Sequence, residues 1–316
     1  MVCSMNSMTK QTPIGACVEE REFTVNGLRY AAKIWGPEDG KPVIALHGWL
    51  DNANTYDVIA PLLPSLRICS VDLAGHGHSG HRPGWGQYYF FEYAYDILEI
   101  AELLGWDTFS LMGHSMGAHI SVIAAGTEPE KIDQLMLIEG FGTPNNFAPS
   151  IVPEMNRNMY RRTKRLRTKR APIYPSIDAM VQARVSSFFK IEEKAARILT
   201  ERSCVAEEDG FTWRMDPKLK LMSPVMISHE QFCEFVKEVS APTCLILADK
   251  GVPHSKELLD ERIQSHKNLR IEHLQGGHHL HLEEPSQQVA EIVADFFNVP
   301  VLNVANSEVS KELTIS

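Results

Sequence analysis

Apolar residues along this chain fall into short runs of strand length, separated by stretches at helical spacing. Over residues 21–34 they alternate around Asn26-Gly27, which predicts a β-hairpin closed by a type I′ turn. Residues 43–46 are a continuous apolar run, the pattern of a strand buried on both faces of a sheet, and 66–71, 108–112 and 132–138 read as further strands of the same kind. Residues 88–104 and 116–126 carry apolar side chains at helical spacing between them. Residues 243–248 and 269–274 resume the strand pattern, and 286–297 closes as an amphipathic helix. Strands alternating with helices predict an α/β fold, its central sheet mostly parallel and flanked by helices on both faces.

Residues 142–230 break that rhythm. They hold no apolar strand run, two helix-like stretches (177–189 and 190–204) and a basic run. This predicts a mostly helical cap inserted after the sixth strand of one sheet. The expected organisation is a flexible arm over 1–20, a core over 21–141 and 231–298, the cap or lid over 142–230, and a tail over 299–316.

Composition narrows the function classes. With 316 residues, 44% of them hydrophobic, the chain is long enough for one large core or a core plus a smaller unit. A formal net charge of −9 argues against nucleic-acid binding as the overall role. Cys3, Cys17, Cys69, Cys204, Cys233 and Cys244 show no C-x-x-C spacing, so neither a zinc site nor a disulfide framework is suggested. The first residues lack the apolar segment of a signal peptide, and no run reaches the ~18 apolar residues that span a bilayer. A soluble, cytoplasmic protein is the expectation, with a peroxisomal or vesicle-associated location as the alternative. Eight basic residues and no acid occupy 157–170. A solvated cap surface explains them, or a surface that meets an anionic substrate or membrane face.

The candidate chemistry centres on Gly113-His114-Ser115-Met116-Gly117, a G-x-S-x-G pattern with a strand before it and a helix after it. In that context it reads as a nucleophile elbow. The reversal lifts the Ser115 hydroxyl to the N-terminus of the following helix, where backbone N–H groups favour developing negative charge. A serine hydroxyl needs a base, and the base needs an orienting acid. The base candidates lie in Gly276-Gly277-His278-His279-Leu280-His281, after the last strand and at the same sheet edge as the elbow. His278, directly after the glycine pair, is the first choice. His281 is the runner-up, and His279 is expected to face outward. A metal reading of these histidines lacks an evident carboxylate partner, so no metal and no cofactor are expected.

Four separated segments carry a resemblance: His47 to Ala53 (H-G-W-L-D-N-A), Asp72 to Ser79 (D-L-A-G-H-G-H-S), Gly113 to Gly117, and Gly276 to Pro285 (G-G-H-H-L-H-L-E-E-P). In this order they resemble the α/β-hydrolase superfamily, and more narrowly the animal serine hydrolase-like proteins, over roughly residues 21–298. The resemblance implies a Ser115–His278 pair and an oxyanion hole from the backbone N–H groups of Trp49 and Met116. The acid departs from the commonest pattern, since the position that aligns with the usual aspartate is Gly251. Two acids remain. Glu139, at the end of the sixth strand, is preferred because a carboxylate buried there needs a donor such as His278. Asp249 is the alternative. Trp213 is expected to line the substrate pocket. His114, inside the elbow, is placed with the substrate-binding residues as a packing rather than a reacting group.

The activity implied is that of a carboxylesterase-like serine hydrolase acting on a small or medium ester through an acyl-enzyme. A serine nucleophile excludes the branches of this fold that attack through aspartate, and Met116 stands where dehalogenases carry a halide-binding tryptophan. Two alternatives stay open: a ligand-binding or weakly active protein on a hydrolase scaffold, and a C–C bond hydrolase using the same residues.

Overall fold

The computed structural model describes residues 10–11, 17–84, 86–142, 151–160, 171–187, 190–221 and 227–303. Its first half builds β1 (Lys10–Gln11), β2 (Cys17–Val25), β3 (Leu28–Trp35), β4 (Lys41–Leu46), β5 (Leu66–Asp72), α1 (Phe90–Leu104), β6 (Phe109–His114), α2 (Met116–Thr127) and β7 (Ile132–Ile138). The inserted block contributes α3 (Ile151–Tyr160), α4 (Ile177–Val185), α5 (Glu193–Ser203), β8 (Cys204–Glu207) and β9 (Gly210–Trp213). The chain then returns through α6 (His229–Glu238), β10 (Thr243–Lys250), α7 (Lys256–Ser265), β11 (Leu269–Gly277) and α8 (Ser286–Phe297).

Among the described residues one nine-stranded sheet runs in the order β1-β2-β3-β5-β4-β6-β7-β10-β11. From β5 to β11 every pairing is parallel, while β1, β2 and β3 form an antiparallel edge. This is the α/β-hydrolase architecture anticipated above. Strands β4, β6 and β7 are wholly apolar at their centres, with Val43, Ile44, Leu111, Met112, Met136 and Leu137 all at 0% exposure. Each such side chain removed from water contributes about 1.5–3 kcal/mol. Alternate residues point to opposite faces, so the two faces carry separate cores: Ile44, Leu111 and Leu137 on one, Val43, Met112 and Met136 on the other.

The β2–β3 hairpin turns at Asn26 (φ 50°) and Gly27 (φ 76°), the two left-handed residues that a type I′ turn requires. The arm expected over 1–20 is partly strand, because Lys10–Gln11 pairs with Cys17 and Val18 and β2 begins at Cys17. The inserted block also differs from the helical reading. It holds the two-stranded ladder β8–β9, whose strands are short and half-exposed and so leave no apolar run in the sequence. Helices α4 and α5 share a small core of their own, built on Val181, Ala195, Ala196 and Leu199 and closed by Leu282 from the main unit. Helix α6 instead packs Phe232 and Val236 into the main core. Of the basic run, residues 161–170 lie outside the described part of the chain.

Candidate active site

The elbow forms because three glycines leave no room for anything larger. A Cβ on Gly113 would meet the Gly117 carbonyl oxygen at 2.5 Å, and one on Gly117 would lie 2.2 Å from the Leu46 carbonyl oxygen. A Cβ on Gly140 would stand 2.5 Å from the Ser115 carbonyl oxygen. Strand β6 can therefore turn into α2 within one residue. That residue, Ser115, takes φ 52° and ψ −114°, a costly conformation for a side-chain-bearing residue and one held by the packing around it. Leu50 (φ 63°) and Glu139 (φ 53°) share the same left-handed strain. Asn26 in its turn and Asn298 at a helix end are the other non-glycine cases among the described residues.

Three side chains from three strand ends meet here. Ser115 Oγ lies 2.9 Å from His278 Nε2, and His278 Nδ1 lies 3.1 Å from Glu139 Oε2. A carboxylate can only accept, so Nδ1 carries the proton, and Nε2 presents its lone pair to the serine hydroxyl. Glu139 is buried and further held by the Ala248 N–H on Oε1 at 2.5 Å and the Val252 N–H on Oε2 at 3.2 Å. Burial pushes the His278 imidazole below its ordinary range, while the bond to Glu139 and that carboxylate's charge pull the other way. Asp249 is placed elsewhere: it is exposed and accepts the Gly276 N–H at 2.8 Å. The other two histidines of the loop are committed too. His281 Nε2 meets Thr55 Oγ1 at 2.8 Å, deep in the core.

Two placements differ from expectation. His279 does not face outward. It is buried, with Nε2 3.3 Å from Asp51 Oδ2. Gly276 (φ 155°) turns the loop so that both His278 and His279 point inward, a conformation open only to glycine. His114 does not contact the substrate cavity. It has no exposed surface, and its Nε2–H donates to the His278 carbonyl at 2.8 Å, which braces the loop from beneath.

A cavity of about 270 Å³ opens above Ser115 and His278. Trp49 and Leu50 line it together with Tyr174, Ile191, Trp213 and Met215 of the inserted block. Trp213 packs its ring edge-on against Tyr174, with centroids 5.9 Å apart. Met116 is the first residue of α2, whose leading N–H groups have no acceptor within the helix.

The loop that follows β4 fastens the inserted block to this cavity, a role the sequence pattern alone did not disclose. Arg184 on α4 pairs with Asp51 and donates to the Leu50 carbonyl at 3.2 Å. Asn52 Nδ2 donates to the Leu199 carbonyl and to Ser203 Oγ, both at 2.7 Å. Trp49 Nε1 donates to the Leu219 carbonyl at 3.0 Å. Burial works against the Asp51 carboxylate, yet its neighbours, His279 first, hold it well below the usual range. The Asp72 segment is equally fixed. The carboxylate accepts from the Ala53 and His78 N–H groups at 2.7 Å and from Arg202 Nε at 2.8 Å.

Comparison with known proteins gives the family of the chain. The family model described as the alpha/beta hydrolase fold matches residues 41–285. A serine hydrolase-like protein of Danio rerio is 30% identical, covering 87% of this chain and 91% of its own. Serine hydrolase-like protein 2 of Homo sapiens is 30% identical, covering 88% and 94%. Among solved structures, a hypothetical protein of Pseudomonas aeruginosa superposes with a TM-score of 0.82 at 40% identity, over 88% of this chain and 99% of its own. The thioesterase domain of a curacin biosynthetic pathway shares the fold at 24% identity, with a TM-score of 0.77 over 87% and 99%. The chain belongs to the α/β-hydrolase superfamily and is similar, over most of its length, to the serine hydrolase-like proteins within it.

Proposed function

We propose that this chain is a serine hydrolase that cleaves a small or medium carboxylic ester through an acyl-enzyme. The observation that supports the reading most is the continuous relay from Ser115 Oγ through His278 to Glu139, with the serine at the floor of the cavity. In this reading Ser115 attacks the ester carbonyl while His278 Nε2 takes its proton. The same proton then passes to the departing alkoxide. Water, deprotonated by His278, attacks the acyl-serine and releases the acid. Glu139 keeps the imidazole in the productive tautomer and stabilises the imidazolium between the two transfers. The N–H groups of Met116 and Trp49 hold the oxyanion, and each such donor is worth about 10²–10³ in rate. The inserted block acts as a cap, and its aromatic wall sets which acyl groups fit.

The test is turnover of p-nitrophenyl acetate and butyrate by the full chain and by Ser115→Ala. Saturable release of nitrophenol, lost in Ser115→Ala, supports the hydrolase. Stoichiometric retention of a small molecule without turnover, alike in both proteins, would replace it with a binding role on a hydrolase scaffold.

A further inference from the structure

Behind the catalytic histidine lies a second cluster that the proposed reaction does not use. Asp51, His114 and His279 are all buried, and one donor atom from each lies within 4.8 Å of the other two. Asp51 Oδ2 is 3.3 Å from His279 Nε2 and 3.6 Å from His114 Nδ1. A tetrahedral ion holding its ligands at about 2.1 Å separates them by about 3.4 Å, so two of the three edges already have that length.

The hydrogen bonding of His114 sharpens the point. Its Nε2 faces a carbonyl oxygen, which can only accept, so Nε2 carries the proton in the neutral ring. Nδ1 then turns a lone pair toward a carboxylate oxygen, and no hydrogen-bond partner for Nδ1 exists among the described residues. Two acceptors facing each other in a buried place lack a positive partner between them. A histidine whose far nitrogen donates to a backbone carbonyl is also how protein metal ligands are oriented. Space and access are present as well. A Cβ on Gly48 would sit 2.8 Å from Asp51 Oδ2 and 3.0 Å from His114 Nδ1, so the missing side chain leaves a cradle beside both atoms. Gly48, Asp51 and His279 all line the catalytic cavity, which gives an ion a way in.

We propose that Asp51 Oδ2, His114 Nδ1 and His279 Nε2 form a site for a zinc-like divalent transition-metal ion, open to the cavity on its fourth side. The other Asp51 oxygen stays with Arg184. Binding displaces the proton that His279 donates to Asp51, which moves to Nδ1 or leaves to solvent. An ion here pins both the residue after His278 in the chain and the ring that bonds its carbonyl. It therefore slows the serine chemistry, and this consequence alone rests on the hydrolase reading.

The test uses Co²⁺, whose tetrahedral complexes absorb strongly in the visible, added to chelator-dialysed full chain. Wild type is expected to bind one Co²⁺ with visible d–d bands and a raised melting temperature. Gly48→Ala keeps every ligand but fills the cradle, and His279→Gln removes one ligand. Both are expected to lose the bands, each with near-UV circular dichroism checking its fold. His278→Ala is expected to keep them. Absence of the bands in wild type would overturn the proposal. Their loss in His278→Ala with retention in Gly48→Ala would do so equally, by moving the ion to the catalytic histidine. Zn²⁺ is further expected to slow fluorophosphonate labelling of wild type at least tenfold and of Gly48→Ala little. If wild type never labels, the hydrolase reading fails while the Co²⁺ result stands on its own.

Discussion

A Cβ atom on Gly251 would stand 2.0 Å from Glu139 Oε2, so the glycine and the buried carboxylate occupy one space between them. The carboxylate reaches His278 from the end of β7, the parallel neighbour of β10. The N–H groups of Ala248 and Val252, on either side of the β10 end, receive it. Glu139→Gln is expected to lower ester turnover by roughly 10³- to 10⁴-fold, since an amide no longer stabilises the imidazolium. Asp249→Asn should change it less than threefold. Gly251→Asp alone should be damaging, whereas Glu139→Gly with Gly251→Asp should recover activity over Glu139→Gly. Steady-state kinetics on wild type and these five variants decides it, and no recovery in the double variant contradicts the shared-space account.

The attachment of the inserted block makes a separate prediction. Asn52 Nδ2 supports two buried hydrogen bonds to α5, whereas Asn54 Nδ2 supports one, to the Ile198 carbonyl at 2.9 Å. Asn52→Ala leaves the Leu199 carbonyl and Ser203 Oγ without that donor and should cost about 2 kcal/mol. Asn54→Ala should cost less. Thermal melting with limited proteolysis across 171–221 checks both size and place. Equal melting temperatures for the two variants would argue against this anchoring.

Stability should also fall with mild acid. Burial, first among the causes in each case, pushes His76 and His119 down to about 3 and His266 to about 4. Unfolded histidine titrates near 6.5, so below that pH the unfolded chain binds protons that the folded chain refuses. The contribution of these groups is intact above pH 6.5 and is lost as pH falls toward about 4 for His266 and about 3 for His76 and His119. The slope is about 1.4 kcal/mol per pH unit for each histidine. Urea midpoints at pH 7.5, 6 and 5 should decline before the carboxylates begin to titrate. A flat profile across that interval would show that these rings find solvent or partners when charged.

Legibility in the sequence followed burial. Strands β4 to β7 announced themselves because both faces are covered, and the elbow because its glycines are sterically forced. Helix α7 left little trace, since Arg262 is its one fully buried side chain among the described residues and only the partly buried Leu259 and Ile263 of its apolar side chains pack on the core. The ladder β8–β9 was silent for the same reason. Glu139 could be favoured over Asp249 on burial at a strand end, yet its contact with His278 spans 139 positions, and no local pattern encodes it. The inward turn of His279 depends on the φ of Gly276 and on Asp51, 228 positions away, so spacing could not reveal it.

The central claim is that His278, oriented by Glu139, activates Ser115. Fluorophosphonate labelling followed by intact mass measures this directly. Wild type should gain one adduct rapidly, Ser115→Ala and His278→Ala none, Glu139→Gln one only slowly, and Asp249→Asn one at close to the wild-type rate. A folded wild type that stays unlabelled, or a Glu139→Gln variant that labels as fast as wild type, would contradict it.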